Sequence, residues 1–242
     1  KTRCDIIRKE VEKNYSKKGT NWCIIPVRKD SDQGALSLTQ IGDQSLIEIA
    51  LSQALRATQV NQVIITTNDR RVYDHIIKNK FDNVKIDLRP DDISLPNVPI
   101  ENTIDYLLNK YVSEFGKPEI IAIANYEYPL RDPAYIDKLI DVITLFNAES
   151  SFSVIERKGN LFKHEGNGLT GFSTNKKLRL ERDVIYEDLG GLHAFKMDVF
   201  ERTGNTAGAI STHILMDQAS SMKVATEFDL NIIKALIKSK NE

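Results

Sequence analysis

A polar, basic segment directly follows the first apolar run of the chain. Residues 22–27 read WCIIPV, as expected of a buried β-strand, and Arg28 and Lys29 come immediately after it. The two cations can neutralise a polyphosphate, and Ser31 and the backbone N–H groups near Gly34 can donate hydrogen bonds to its oxygens. By composition alone, an ordinary solvated loop is the simpler interpretation.

The elements that must position this segment alternate along the chain. Further β-like runs occupy 63–67, 84–88, 120–124 and 151–157, and helical spacing of apolar residues marks 46–55, 70–81, 100–115 and 133–146, with a last helix beginning near Thr226. Repeated β-α units with short connections predict an α/β fold with a mostly parallel, doubly wound sheet flanked by helices. Ligands of such sheets bind near the carboxyl ends of the strands, where Arg28 and Lys29 lie.

The domain boundaries follow from where this periodicity fades. Residues 1–20 are basic and polar, and we expect a helical or junction segment there. Residues 21–242 are predicted to form a single domain. Within it, residues 158–190 begin with a stretch rich in Gly, Asn and Lys, which indicates hairpins or a loop-rich excursion.

Composition excludes several classes of protein. The 242 residues carry a formal net charge of −1, which gives no support to nucleic-acid or membrane-surface binding. No apolar run reaches the ~18 residues needed to cross a bilayer, and no secretory leader is evident, so we expect a cytoplasmic protein. Cys4 and Cys23 cannot build a disulfide framework or a zinc site, and the four histidines lack metal-ligand spacing. The sequence contains neither a Walker A motif nor a dinucleotide fingerprint.

Several short segments, in order, resemble the CMP-sugar synthetases, which are the acylneuraminate and Kdo cytidylyltransferases. IIPVRKDSDQGALSL (24–38) is similar to that family's I-P-A-R-x-x-S-K-G loop, and TTND (66–69) is similar to its S-T-D. LRPDDIS (88–94) resembles R-P-x-x-L-A, ANYEYPLRDPAYIDKLID (124–141) resembles Q-P-T-S-P-L-R-x-x-x-x-I-D, and VATEFDLNIIKALI (224–237) resembles the C-terminal helix motif. The matches span most of residues 22–237.

The resemblance implies a Rossmann-like nucleotidyltransferase fold with a small dimerisation excursion, and therefore a homodimer. It implies an enzyme that activates an acidic sugar, such as a sialic-acid-like nonulosonate or a Kdo-like sugar, with CTP. The products are a CMP-sugar and pyrophosphate, and Mg²⁺ is the usual cofactor. Such chemistry depends mostly on positioning and on charge neutralisation.

The family's site residues carry over only in part. Arg28 and Ser31 match the first-loop arginine and serine, and Arg89 matches the arginine of R-P. Asn125 stands at the glutamine of Q-P-T-S-P-L-R, on the sugar side. Arg131 matches the arginine of that motif, and a structural arginine beside the neighbouring aspartate is an equally good interpretation.

The chain departs from the family at the residues that bind phosphate and metal. Asp32 replaces the loop lysine, and Lys29 is a possible substitute for it. Lys223 and Ala225 stand where the family carries metal-binding carboxylates, and neither side chain can ligate Mg²⁺. Glu127 falls where the Kdo branch has a metal-binding aspartate, and it is either a metal ligand or a solvated loop acid. A catalytically degenerate domain with a nucleotide-sugar-binding, regulatory or assembly role is therefore the alternative function.

Overall fold

The computed structural model describes residues 20–29, 36–157, 161–171 and 184–241. The strands are β1 (Asn21–Val27), β2 (Gln40–Ile41), β3 (Gln44–Ser45), β4 (Gln62–Thr67), β5 (Val84–Leu88), β6 (Ile120–Ala124), β7 (Ser150–Arg157), β8 (Phe162–His164), β9 (Leu169–Gly171), β10 (Ile185–Lys196) and β11 (Ser211–Leu215). The helices are α1 (Leu46–Arg56), α2 (Arg70–Asn79), α3 (Ile100–Phe115), α4 (Ala134–Phe146), α5 (Met197–Thr203) and α6 (Glu227–Asn241). No helix in these ranges is long and apolar enough to span a bilayer.

Seven strands form the central sheet, in the order β11-β7-β10-β6-β1-β4-β5. Strand β1 pairs in parallel with β4 and β6, β4 with β5, and β7 with β11. Only β10, among the strands of this sheet, runs antiparallel to its neighbours, which are β6 and β7. The predicted α/β class, with a mostly parallel sheet flanked by helices, is thus confirmed.

The alternation of side chains along β1 explains the two layers of helices. Trp22 and Ile24 point to one face of the sheet and pack with apolar residues of α3 and α5. Cys23, Ile25 and Val27 point to the other face and pack with α1, α2, α4 and α6. Because both faces are covered, the strand reads as a continuous apolar run rather than an alternating one.

Capping residues fix where the helices begin and end, and so fix the loops between them. The backbone N–H of Ser45 donates to Glu48 Oε2 at 2.7 Å at the start of α1. The Asp69 carboxylate accepts from the backbone of α2. Helix α3 ends at Gly116, as the sequence predicts, and this residue has a φ of +80°, which glycine adopts without strain.

The predicted excursion is described only in part. Strands β8 and β9 form a separate antiparallel hairpin. Strand β10 begins at Ile185, inside the predicted range 158–190, and already belongs to the central sheet there by pairing with β7. The boundaries of the excursion and of the 1–20 segment stay predictions, since residues 1–19, 158–160 and 172–183 lie outside the described residues.

Candidate active site

Four parallel strands, β1, β4, β5 and β6, end at one edge of the central sheet, as their parallel registers require. The residues that follow these ends are Arg28, Asn68, Arg89 and Asn125. The antiparallel β10 passes beside the last of them. This edge is where open α/β sheets bind their ligands, and it holds most of the site residues predicted from the sequence.

Arg28 and Lys29 are exposed at the end of β1. The guanidinium of Arg28 donates from Nη2 to the carbonyl of Val98 at 2.9 Å and lies 3.4 Å from that of Pro96. It therefore rests on the loop that leads into α3. The backbone N–H of Lys29 donates to Asn68 Oδ1 at 2.9 Å, which holds the main chain of the β1 loop against the residue that follows β4.

Arg89 is buried beneath this exposed pair. Its Nε donates to the hydroxyl of Ser94 at 2.8 Å, and its terminal nitrogens donate to the carbonyls of Thr66, at 3.1 Å, and Val27, at 3.2 Å. Burial and, to a smaller extent, the nearby Arg28 charge lower the pKa of Arg89 to about 10. Arg89 thus ties the carboxyl ends of β1 and β4 together while remaining a cation at neutral pH.

Asn68 connects three of the loops at this edge, and sequence reasoning missed it. Its Oδ1 accepts the Lys29 N–H, and its Nδ2 donates to Asp91 Oδ1 at 2.9 Å. Two features of the sequence could have identified Asn68. It directly follows the apolar run of β4, and it belongs to the TTND segment that resembles the family's S-T-D. An amide can satisfy a donor and an acceptor at once, so Asn68 fixes the β1 loop against the β5 loop.

The loop after β6 is held against β10 by Asn125 and Arg131. The backbone N–H of Asn125 donates to the carbonyl of Gly191 at 3.0 Å, and its side-chain amide donates to the carbonyl of Gly190. Arg131 Nη1 donates to the carbonyls of Asn125, at 3.1 Å, and Gly191, at 3.0 Å. Both predicted residues therefore contact the same turn of β10.

This turn is an irregularity in the pairing of β10 with β7, where the register shifts between Asp188 and His193. Gly190 has a φ of +63°, and a Cβ on Gly191 would come within 2.8 Å of the Tyr128 ring. The Tyr128 hydroxyl donates to the carbonyl of Leu189, and burial raises the pKa of this tyrosine to about 12. Bulges of this kind re-aim strands next to active sites.

Arg131 is a scaffold residue by its contacts. It is buried, its Nε donates to Gln53 Oε1 at 3.0 Å, and its Nη2 has no hydrogen-bond partner among the described residues. Gln53 in turn donates to the carbonyls of Tyr128 and Pro129, at 3.1 Å each. Burial lowers the pKa of Arg131 to about 10. Sequence reasoning missed Gln53 and Tyr128, which look like ordinary core residues of α1 and of the loop.

The three arginines share one electrostatic property. Arg28, Arg89 and Arg131 donate only to carbonyl, amide or hydroxyl oxygens, and none of them forms a salt bridge within the described ranges. Asp87 is the one carboxylate that acts electrostatically on Arg89 among the causes of its pKa shift, and it is itself paired with Lys110. Cations without a direct carboxylate partner add positive potential, which attracts anions.

Comparisons with solved structures identify the fold of the chain. No protein-family model matches the chain, and no curated protein matches it. Among solved structures, a CMP:2-keto-3-deoxy-manno-octonic acid synthetase complexed with CTP is 12% identical, with a TM-score of 0.66 over 91% of this chain and 99% of that one. The chain has the fold of a cytidylyltransferase.

Two further structures support this assignment. The 4-diphosphocytidyl-2C-methyl-D-erythritol synthase from Anaerococcus prevotii is 12% identical, with a TM-score of 0.65 over 95% of this chain and 99% of that one. A second synthase of the same description is 14% identical, with a TM-score of 0.68 over 91% and 99% of the two chains. The Rossmann-like nucleotidyltransferase fold implied by the resemblance is thereby confirmed.

The predicted site residues fall into two groups and a remainder. Arg28, Lys29 and Arg89 meet at the ends of β1, β4 and β5, and Asn125, Glu127 and Arg131 lie on the loop after β6. Ser31 and Gly34 lie outside the described residues. His193, one of the four histidines, is partly buried and stacks on Phe152 with ring centroids 4.4 Å apart.

Proposed function

We propose that the chain is a cytidylyltransferase that activates an acidic sugar with CTP. A hydroxyl oxygen of the sugar attacks the α-phosphorus of CTP, the bond from that phosphorus to the β-phosphate bridging oxygen breaks, and pyrophosphate leaves. The hydroxyl proton is released to solvent or to a basic group. The observation that carries this proposal is that Arg28, Arg89 and Arg131, near the strand ends of this particular fold, form no salt bridge within the described ranges.

In this proposal, the exposed cations of the β1 loop bind the triphosphate. Arg28 and Lys29 contact its oxygens and stabilise the negative charge that builds up on the leaving pyrophosphate. Ser31 and the backbone near Gly34 donate further hydrogen bonds. Arg89 acts from beneath, by fixing the strand ends and by adding positive potential. Hydrogen bonds to main-chain carbonyls hold the guanidinium groups of Arg28 and Arg89 in place before the nucleotide arrives.

The loop after β6 forms the acceptor side of the proposed site. Asn125 and Arg131 fix this loop against the β10 turn and so shape the surface that receives the sugar. The acidic sugar is suggested by the resemblance to sialic-acid and Kdo enzymes, and by the positive potential of this edge, which favours a carboxylate. Mg²⁺ remains a prediction of the resemblance.

The proposal includes a homodimer formed through the excursion. Phe162 and Leu169 of the β8–β9 hairpin are 56% and 71% exposed, which is typical of a surface that another copy covers. Light scattering on a sizing column would test this. We expect a dimeric mass for the natural chain and a monomeric mass for Phe162→Ser/Leu169→Ser, and a natural monomer would contradict the proposal.

A second function is favoured by one observation. Glu127 is paired with Lys223 rather than with another carboxylate, so the chain has kept the fold while changing the position where the family carries acids. A nucleotide-sugar-binding domain without turnover would have the same contacts. This alternative keeps CTP binding and loses pyrophosphate release.

One experiment separates the two functions. The protein is incubated with each nucleoside triphosphate, Mg²⁺ and a panel of nonulosonic acids and Kdo, while pyrophosphate release and the melting temperature are recorded. Pyrophosphate release with CTP supports the enzyme. A CTP-dependent rise in melting temperature without pyrophosphate release supports the binding domain. Arg28→Ala should weaken either signal, whereas Arg70→Ala, at an exposed arginine paired with Asp74 on α2, should leave both unchanged. Absence of any CTP effect on the natural chain would contradict both functions.

A further inference from the structure

An ion pair lies beside the proposed acceptor side of the site. Lys223 Nζ is 2.9 Å from Glu127 Oε2, with the lysine side chain 47% exposed and the glutamate 26% exposed. The backbone N–H of the buried Val224 donates to the carbonyl of Glu127 at 2.8 Å. The main chains of both partners are therefore fixed against each other, so the pair is part of the fold rather than a chance surface contact.

The ion pair is near the β10 turn that Asn125 contacts. Burial is the main reason for the raised pKa of Tyr128, and the Glu127 carboxylate raises it further, which places that carboxylate close to the tyrosine. Tyr128 in turn packs on Gly191. Glu127, Tyr128 and the β10 turn thus lie close together in one neighbourhood. The ammonium of Lys223 adds a positive charge to it.

A divalent cation held by the protein does not fit this neighbourhood. Mg²⁺ requires oxygen ligands in an octahedral arrangement, and it is usually held by one or two carboxylates together with water and substrate phosphates. The described residues contain no group of three or more side chains from His, Cys, Asp and Glu that could hold a metal ion. Glu127 already gives one oxygen to the ammonium of Lys223, and a dication at its other oxygen would be repelled by that ammonium.

We propose that Lys223 supplies the positive charge at this end of the site, where it binds an oxyanion of a substrate, and that the chain holds no divalent cation there. The inference rests on the proposed function, because it assumes an anionic substrate. An ammonium is a compact point charge on a flexible stem, so it can turn from Glu127 towards a phosphate or a carboxylate without a change in the backbone. Glu127 then holds the lysine in place while the site is empty.

The first test measures cation binding directly, with Mn²⁺ as a probe for Mg²⁺ and electron paramagnetic resonance as the readout, in the absence of nucleotide. We expect no site-bound Mn²⁺ on the natural chain. Lys223→Asp/Ala225→Asp should gain Mn²⁺ affinity by about tenfold or more, because the repelling ammonium is replaced by a ligand. Lys223→Gln, which keeps the length of the stem, should gain less and serves if the double variant does not fold.

The matched control is a second lysine–glutamate pair at the other end of the sheet. Lys117 Nζ lies 2.7 Å from Glu201, before the start of β6, and its side chain is 55% exposed. Lys117→Asp should gain no Mn²⁺ affinity. Mn²⁺ bound to the natural chain and lost in Glu127→Gln would overturn the inference.

The second test measures which oxyanion Lys223 binds. CTP and N-acetylneuraminate are titrated separately by calorimetry, with EDTA present to remove divalent ions. Lys223→Ala should weaken one of the two by roughly threefold or more, as expected for the loss of one half-exposed charge, while Lys117→Ala changes neither. An effect on CTP identifies a phosphate, and an effect on N-acetylneuraminate identifies a carboxylate.

The failure of this inference can be distinguished from that of the proposed function. If Lys223→Ala binds both compounds as the natural chain does, the role of Lys223 is refuted. If the natural chain binds neither compound, even with Mg²⁺ in place of EDTA, the proposed function and the role of Lys223 fall together. The Mn²⁺ result still decides in that case whether a divalent cation binds at Glu127.

Discussion

Replacing Gly191 by alanine should destabilise the protein through a single contact. The added Cβ would lie 2.8, 2.9 and 3.1 Å from three atoms of the Tyr128 ring. Carbon atoms in favourable contact are about 3.5–4.0 Å apart, so the overlap reaches roughly 1 Å. The ring has little room to move, because the Tyr128 hydroxyl donates a hydrogen bond to the carbonyl of Leu189 and the side chain is buried. Overpacking of this kind typically lowers the free energy of unfolding by about 1–3 kcal/mol, and we expect ~2 kcal/mol for Gly191→Ala.

Urea denaturation and the melting temperature measure this cost. For a chain of this length, ~2 kcal/mol corresponds to a fall in melting temperature of about 4–8 °C. The control is the same substitution in a Tyr128→Leu background, where the smaller side chain leaves room for the Cβ. Gly191→Ala should cost less than ~1 kcal/mol there, giving a coupling of about 1 kcal/mol or more between the two positions. An unchanged cost in both backgrounds would refute the steric argument.

Three further predictions concern the charged and titratable groups. Arg28→Ala should weaken CTP binding by about tenfold or more, as measured by calorimetry. Its melting temperature should change little, because Arg28 is exposed. Added salt should weaken CTP binding to the natural chain. Arg89→Ala should instead lower the free energy of unfolding by about 2–4 kcal/mol in urea, because buried carbonyls lose their donor. Burial lowers the pKa of His193 below 6.5, so the unfolded chain binds its proton first and stability should fall as the pH drops below about 6.5. Unfolding in urea at pH 7 and pH 5.5 should show a smaller difference for His193→Phe, and an equal difference would exclude His193 as the cause.

The local elements of the fold could be predicted because their signals are local. Residues 120–124 form an uninterrupted apolar run, and the structure buries all of them in β6. Helix α3 has a regular apolar stripe and a glycine at its end, and both bounds agree with the sequence. These patterns reflect burial and backbone conformation at each position, which neighbouring residues report directly.

The direction and extent of the later strands could not be predicted. Strand β10 starts with exposed polar residues at Glu187 and Asp188 and shifts register before His193, so it lacks a continuous alternating pattern. Strand β11 is a short edge strand whose residues are mostly exposed, so it lacks the apolar pattern of a buried strand. Both strands are defined by pairing with β7, which lies far away in the sequence, and a single sequence does not show such pairing.

The roles of the site residues were harder to predict than their positions. The resemblance predicts a ligand-binding role for Arg89, and for Arg131 it leaves ligand binding and a structural role equally open; the structure buries both of them on main-chain carbonyls. A carbonyl partner leaves no trace in the sequence, because every residue carries one. The pairing of Glu127 with Lys223 was likewise hidden, since the two residues come from distant segments.

The arginines at the sheet edge have different partners from several charged side chains elsewhere in the described residues. Asp87 is buried in β5, and it receives the Lys110 ammonium at 2.7 Å and the Tyr111 hydroxyl at 2.7 Å. Several cations elsewhere have a carboxylate partner in the same manner, among them Lys85, Lys117 and Arg202. At the carboxyl ends of the strands, by contrast, the three arginines rest on neutral oxygens within the described ranges. A buried cation is costly unless it is well hydrogen-bonded, so the placement of Arg89 and Arg131 on neutral oxygens at this edge agrees with the proposed binding of an anionic substrate there.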